Sequence, residues 1–199
     1  LFRSTEASQD AYELVQRQAI RFIAKNGDRR LIPALIRLSI ANNTSDRCNF
    51  NVMTALACFP KEDLLAEFDR QFDAPSVQYL DKNNLRGKIR NTIVHSADRL
   101  TTDIDKVVKG EASEKDRTFT IRALRNTLPH HKVPELLVYL QDCGDGNTQI
   151  LLLEALGWHT VSCHAADIAA TALKMSEDAS LPNTVRQEAL KTYRRIHEK

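Results

Sequence analysis

The side chains with the greatest capacity for chemistry fall at two corresponding places in the sequence. Both places are predicted turns between helices, and they hold His130, His131, Trp158, His159, Cys163 and His164. Histidine and cysteine are common zinc ligands, but zinc requires them to converge on one point at about 2.0–2.3 Å. Corresponding positions of neighbouring helices start roughly 10 Å apart. The spacing therefore favours surface or capping histidines, and it predicts no metal and no cofactor.

Arginines recur on the predicted helices and define a second kind of candidate site. Those that could follow a phosphate backbone include Arg86, Arg90, Arg122, Arg125 and Arg186. A ladder of such cations on one face would bind nucleic acid regardless of its sequence. Alternatively, the arginines solvate the outer face or pair between helices. The formal net charge of +2 supplies little long-range attraction for a polyanion, so the second interpretation is favoured.

The composition is that of an ordinary globular protein and favours helices. Of the 199 residues, 42% are hydrophobic and 27% charged, only six are glycine and six proline, and the aliphatic runs lack period-two alternation. No apolar run is long enough to span a bilayer, so no membrane insertion is predicted.

The first residue and the cysteines indicate whether the chain is a fragment and in which compartment it is found. It begins at Leu1 without a methionine, and we expect a fragment of a larger protein. The four cysteines lack paired metal-type spacing and fit a reducing compartment. A cytoplasmic location is therefore favoured, while an export signal upstream of Leu1 stays open.

The helices that position these residues are predicted from two recurring patterns. In the first, a small residue precedes an aliphatic one, and successive copies are 36, 37, 31, 32 and 34 residues apart. The copies are Ala19-Ile20, Ala55-Leu56, Thr92-Ile93, Ala123-Leu124, Ala155-Leu156 and Ala189-Leu190. In most copies an apolar residue stands four positions earlier, namely Val15, Phe119, Leu151 and Val185. This is about one helical turn, so the pattern predicts one apolar stripe on which the small residue admits a neighbouring helix.

The second pattern is an acidic residue followed by an aliphatic one. It occurs at Asp63-Leu64, Asp103-Ile104, Glu135-Leu136 and Asp167-Ile168. A carboxylate in the first turn of a helix is stabilised by the helix dipole. These acids are therefore predicted to mark helix starts and not to be catalytic, and no catalytic residues are assigned.

Together the patterns predict alternating first and second helices. First helices are expected near 9–25, 45–59, 84–99, 114–129, 147–159 and 183–198, and second helices near 31–42, 61–72, 102–109, 133–142 and 163–176. Both patterns stretch near 73–83, where a longer loop is predicted.

This arrangement resembles HEAT repeats, particularly the short bacterial kind. The clearest match joins Thr120-Ile121-Arg122-Ala123-Leu124, Val133-Pro134-Glu135-Leu136-Leu137 and Glu154-Ala155-Leu156-Gly157. The resemblance implies an all-α, right-handed superhelix over residues 1–199, with about five helix pairs and a terminal helix. It implies no particular activity, because these residues specify packing.

The resemblance implies a partner surface on the second helices, which line the concave face of such solenoids. The position four residues after the acidic marker is Glu67, Tyr139 or Thr171, and in the first repeat, where Ala34-Leu35 takes the place of the marker, it is Leu38. These residues either bind a partner or complete the core of their own repeat. The leading interpretation is a non-catalytic scaffold that binds a protein partner or another domain of the same chain.

Two enzyme types with HEAT-like folds provide comparisons. DNA glycosylases of the alkylpurine type follow DNA with basic helices, which is the alternative function, but they also place aromatic residues and an acid at the lesion. Here Trp158 has no evident companion carboxylate in the sequence. The di-iron deoxyhypusine hydroxylases carry His-Glu pairs where this chain has Arg122-Ala123 and Glu154-Ala155, so that chemistry is excluded.

Overall fold

The computed structural model describes the backbone of residues 2–41, 46–72 and 82–198, and the side chains of 11–39, 51–72, 87 and 90–198. Within these residues it contains ten α-helices and no β-strand, which confirms the all-α class. None of the helices described is both long enough and apolar enough to cross a membrane.

The helices follow one another through short connections. They are α1 (Phe2–Asn26), α2 (Ile32–Ala41), α3 (Asp46–Leu56), α4 (Lys61–Phe72), α5 (Lys82–Val108), α6 (Glu114–Leu124), α7 (Val133–Asp142), α8 (Gly146–Leu156), α9 (Ala165–Glu177) and α10 (Asn183–His197). Short 3-10 turns at Arg29–Leu31 and His130–Lys132 lead into α2 and α7. The chain divides into two compact units, Leu1–Asp98 and Arg99–Lys199. The single domain expected over 1–199 stays a prediction.

In the first unit, like helices pack on like helices. The first helices α1 and α3 pack together, as do the second helices α2 and α4. Their shared core includes the fully buried Leu35, Leu56 and Phe68, together with Ile93 from α5. An ion pair of 2.9 Å between Lys61 Nζ and Asp98 Oδ1 also joins α4 to α5.

The second unit repeats this packing over more helices. The first helices form a row in which α6 packs on α8 and α8 on α10, while α7 packs on α9. The core is built from aliphatic side chains such as Leu124, Leu136, Leu156 and Ile168. Each unit therefore has its own hydrophobic core and its own rows of first and second helices.

The aliphatic member of the first pattern is a core residue in five of the six copies. Ile20, Leu56, Ile93, Leu124 and Leu156 are fully buried, whereas Leu190 is half-buried. Burying a side chain of this size contributes about 1.5–3 kcal/mol, which explains why the pattern recurs once per repeat.

The predicted apolar stripe four residues earlier is wrong in two copies. Val15 and Phe119 are 66% and 68% exposed, whereas Val185 is fully buried. This position faces the preceding first helix: a Cβ on Gly146 of α8 would lie 3.4 Å from Val185 Cγ2 of α10. Because α1 and α6 each begin the row of their unit, no earlier first helix of the same unit covers Val15 or Phe119.

The third predicted pair is a second correction. The helices expected near 84–99 and 102–109 are the single helix α5, and Asp103 lies inside it. Residues 88–109 contain neither glycine nor proline, so nothing interrupts the backbone hydrogen bonds at Thr101-Thr102. Within the described residues, two helix pairs precede α5, which stands in place of a third pair, and two further pairs and α10 follow it.

The predicted starts of α4, α6, α7 and α9 and the predicted end of α5 agree with the structure to within two residues, whereas α1 begins at Phe2 and α6 ends at Leu124, not near 9 and 129. Ser113 caps α6 by accepting a hydrogen bond of 3.2 Å from the Asp116 N–H. Gly110 ends α5 with φ of +73°, and the Glu111 N–H donates to the Lys106 carbonyl at 2.8 Å, as in a Schellman motif. The acidic markers Asp63, Glu135 and Asp167 lie in the first turns of α4, α7 and α9.

Two boundary predictions fall largely on residues that are not described. The first residue of the helix predicted near 45–59, Ser45, lies outside the described residues, although α3 does begin at Asp46. Most of the loop predicted near 73–83 also lies outside them, and its last two residues already belong to α5.

Candidate functional site

The four residues predicted to line a partner surface are all half-buried. Leu38 packs against the core of the first unit, and Tyr139 packs against that of the second. Glu67 accepts a hydrogen bond of 2.9 Å from Arg70 Nε, and its bonds with Arg70 hold the pKa of the carboxyl below its usual range. Burial raises the pKa of Tyr139. Thr171 lies on α9 between buried and exposed neighbours.

The exposed face of the second helices is formed by the residues that immediately precede the predicted ones in sequence. At those places the chain has Arg37, Ala66, Val138 and Ala170, and all four are exposed. Val138 is 59% exposed, which is unusual for a large apolar side chain. In the second unit, Lys174 Nζ donates to Gln141 Oε1 at 3.3 Å and so joins α7 and α9. The predicted residues consequently form the edge of this face, where it meets the core.

The arginines of the nucleic-acid alternative have different surroundings. Arg86 lies in α5, but its side chain is not among those described. Arg90 forms an ion pair of 2.9 Å with Asp69. Arg122 is exposed on α6, while Arg186 is half-buried near the start of α10. Arg125, at the end of α6, makes the contact with the clearest chemical consequence.

Arg125 and Arg195 both lie over the ring of Trp158. Their Cζ atoms are 4.4 Å and 4.8 Å from the ring centroid, which is within cation–π range. Trp158 follows α8 by two residues and is 45% exposed. The three residues come from the ends of α6, α8 and α10, the three first helices of this unit. We call them the Arg–Trp–Arg cluster.

Gly157 gives Arg195 the space it occupies in the cluster. A Cβ at this position would lie 3.0 Å from Arg195 Nη1 and 3.2 Å from Thr192 Oγ1. The Nη1 atom is buried and has no hydrogen-bond partner. Among the described residues, Arg195 forms no ion pair either, so its main polar contact is with the tryptophan ring.

A carboxylate does accompany Trp158, contrary to what the sequence indicated. Glu154 lies one helical turn earlier, and its Oε1 is 3.8 Å from Arg125 Nη1. Both side chains of this ion pair are about half exposed, so the pair contributes little and can exchange for another anion. The cluster therefore comprises two cations, one aromatic ring and one weakly held carboxylate.

The histidines at the two turns connect neighbouring helices. His159 is 4% exposed, and its Nε2 lies 2.6 Å from the Leu124 carbonyl oxygen, so this nitrogen carries the proton and donates it. His130 is 3% exposed, and its Nδ1 is 3.1 Å from Ser162 Oγ. His164 precedes α9 and pairs with Asp167 at 3.2 Å.

The expected surface position is therefore wrong for His130 and His159, which are buried. The expected capping role holds for His159, because the Leu124 carbonyl that accepts its proton ends α6. In the described part of the chain, no three His, Cys, Asp or Glu side chains converge to hold a metal ion.

A cavity of about 530 Å³ lies beside Phe119 in the second unit. Its lining carries charges of both signs, including Arg99, Asp103, Lys106 and Asp116. Phe119 is the main apolar side chain at its rim.

The sequence carried one signal for the Arg–Trp–Arg cluster. Arg125 and Trp158 are 33 residues apart, close to the 32-residue repeat interval, so they stand at corresponding helix ends. Side chains at such positions meet when first helices pack side by side. Arg195 belongs to the next helix of the row and gave no comparable signal, because it stands three residues further along its own repeat.

Comparison with known proteins adds no relative. No protein-family model matches the chain, and neither a curated protein nor a solved structure matches it.

Proposed function

We propose that this chain is a non-catalytic interaction module, a HEAT-like α-solenoid that binds a protein partner or another domain of its own chain. One observation supports the proposal above the others: in both units, first helices pack on first helices and second helices on second helices, and in the second unit α10 also packs extensively on α9. Repeats that stack in this way present the same helix face again and again, and this suits an extended partner. The buried aliphatic residue of each repeat is accounted for by packing and needs no catalytic role.

The partner surface of this proposal is the exposed face of the second helices. Val138 of α7 and Ala170 of α9 stand 32 residues apart at corresponding positions, and both are exposed. An exposed valine beside a small residue leaves room for an apolar side chain of the partner. Polar side chains such as Gln141 and Lys174 flank these two residues.

Capture of the partner by the full chain tests this surface. We expect Val138→Asp and Ala170→Asp each to reduce the captured amount at least several-fold, because a buried, unpaired carboxylate is unfavourable in an interface. Gln187→Asp on the exposed side of α10 is the matched control and should leave capture unchanged. Equal capture by all three variants would refute the assignment of this face.

Nucleic-acid binding through the first helices is the second candidate, and the contact of Arg125 with Trp158 favours it. It requires retention on duplex or single-stranded DNA that weakens steeply with salt, with a slope that falls by about one for each phosphate contact removed. Retention that does not change when Arg122 and Arg125 are replaced by glutamine would eliminate this candidate.

A further inference from the structure

We propose that the Arg–Trp–Arg cluster binds a carboxylate of an acidic peptide segment of a partner protein. The cluster lies on the first helices of the second unit, so this inference is independent of the proposed surface on the second helices. Arg125, Trp158 and Arg195 are its ligand-binding residues, and Glu154 occupies the place of the incoming carboxylate when no peptide is bound.

The first argument concerns the unused hydrogen-bonding capacity of the two guanidinium groups. A guanidinium offers five N–H donors in a planar fork that matches a carboxylate. Arg125 has only a 3.8 Å ion pair with Glu154, and Arg195 has no ion pair among the described residues. Cations that are partly withdrawn from water normally have such partners. Contact with Trp158 and Gly157 fixes the position of Arg195, which lowers the entropy lost when an anion binds.

The second argument concerns two other cations of α10, each of which already has an ion pair. On α10, Lys191 pairs with Glu188 at 3.2 Å and Arg194 with Glu198 at 3.9 Å. Residues 99–199 carry 14 lysines and arginines against 14 aspartates and glutamates, a formal net charge of zero. A nucleic acid would require a series of free cations and would gain little from this neutral unit. Binding of a single carboxylate requires only the two neighbouring guanidinium groups, those of Arg125 and Arg195.

The third argument concerns the apolar surface of the cluster. Trp158 is 45% exposed, and Val161, three residues later, is 47% exposed. An acidic residue followed by an apolar residue in the peptide would satisfy both the guanidinium groups and this surface. Recognition of acidic motifs by clustered arginines beside aromatic anchors is an established mode of peptide binding.

The emission of Trp158 provides a direct test, because it is the only tryptophan in the chain. The probe is a short synthetic peptide of alternating glutamate and leucine, titrated into the full chain at physiological ionic strength. We expect a saturable change in emission, and no such change with the peptide in which glutamine replaces every glutamate. Absence of a saturable change with the acidic peptide would overturn the proposal.

Variants separate binding by the cluster from general charge attraction. We expect Arg125→Gln and Arg195→Gln each to weaken the binding of the acidic peptide about tenfold. Arg195→Lys should recover only part of the loss, since lysine keeps the charge but lacks the planar fork. Arg194→Gln on the same helix is the matched control and should bind as the parent does.

Other ligands and folding controls complete the test. Unchanged binding by Arg195→Gln, or an equal loss in Arg194→Gln, would refute the site. Tighter binding of an oligothymidylate than of the acidic peptide would overturn the choice of ligand in favour of nucleic acid. Helical circular dichroism of each variant establishes folding, and where Arg195→Gln does not fold, Arg125→Gln decides the outcome.

Discussion

In the second unit, buried polar side chains of one helix or loop donate hydrogen bonds to backbone carbonyls of a neighbouring helix. Gln149 Nε2 donates to the Leu140 carbonyl at 3.1 Å, Thr192 Oγ1 donates to that of Leu153 at 2.9 Å, and His159 donates to that of Leu124. These carbonyls lie in the last turns of their helices, where carbonyls commonly lack a partner within the helix, although that of Leu153 also accepts from the Gly157 N–H at 3.0 Å. Each bond therefore satisfies a buried acceptor and also fixes how two helices are aligned.

Removal of the His159 bond should reduce the stability of the fold. We expect His159→Leu to lower the free energy of unfolding by about 1–3 kcal/mol, because the buried Leu124 carbonyl loses its donor. Urea unfolding measures this change. His95→Leu, at an exposed position of α5, is the control and should change stability by less than about 0.5 kcal/mol. Equal effects of the two variants would show that the bond is unimportant.

Asp145 should make stability depend on pH. Its carboxylate caps α8, and the hydroxyl of Thr148, which donates to it at 2.6 Å, is the main cause of its lowered pKa. A carboxyl whose pKa is lower in the folded state stabilises the fold above its unfolded pKa, near 4, and this stabilisation is lost as pH falls through the folded value.

We therefore expect Asp145→Ala to cost about 1 kcal/mol at neutral pH, the usual value for a helix cap. The difference from the parent should narrow as the pH falls below about 4. Urea unfolding at several pH values measures it, with Thr148→Val as a second variant that should lose part of the pH dependence. A difference that is constant with pH would contradict the role given to the carboxylate.

At the scale of elements, helix α5 contains a glycine that packing does not require. A Cβ on Gly87 would have no atom within 4 Å. Gly110, which ends the same helix, also has open space around it but has a φ of +73°. The two glycines thus differ in backbone conformation and not in the room available for a side chain.

Alanine substitutions should consequently have opposite effects at these positions. We expect Gly87→Ala to stabilise the chain by about 0.5–1 kcal/mol through the better helix propensity of alanine. Gly110→Ala should destabilise it by about 1–2 kcal/mol, since an L-residue is strained at positive φ. Thermal unfolding measures both changes. Destabilisation by Gly87→Ala would mean that α5 is not a regular helix at this point.

Gly157, directly after α8, lies where α8 and α10 approach each other closely. We expect Gly157→Ala to displace Arg195 from the Trp158 ring, because the new Cβ would approach Arg195 Nη1 to 3.0 Å. The tryptophan emission should shift and stability should fall by about 1–3 kcal/mol, as for other overpacked sites. Gly146→Ala, whose nearest contact would be an ordinary 3.4 Å, is the control. An unchanged emission would contradict the geometry of the cluster.

Local signals in the sequence were sufficient to predict the positions of most helices. The bounds of α4 and α7 agree with the predicted 61–72 and 133–142, because proline, acidic residues and glycine mark their ends. The prediction of two helices in place of α5 failed because Thr101-Thr102 resembles a helix start, while no residue there ends the preceding helix. Contacts such as Trp158 with Arg195 depend on which helices become neighbours, and no local pattern specifies that.

At the scale of the molecule, each of the two units repeats one packing scheme around its own core. The second unit repeats the scheme over the larger number of helices, with α6, α8 and α10 in one row and α7 and α9 in another. The 32-residue interval of the sequence predicted which helices correspond, while the exposure of Phe119 and the burial of Val185 followed from position in the row. The proposed interaction module depends on this row arrangement.

Distances between spin labels on the first helices test the row most directly. Labels introduced two at a time at positions 122 on α6, 154 on α8 and 187 on α10, in a cysteine-free background, give three pairwise distances. The row predicts about 10 Å for each adjacent pair and about 20 Å between α6 and α10, since helix separations add along a row. An α6–α10 distance as short as those of the adjacent pairs would indicate helices closed around a single centre and would contradict the stacked arrangement.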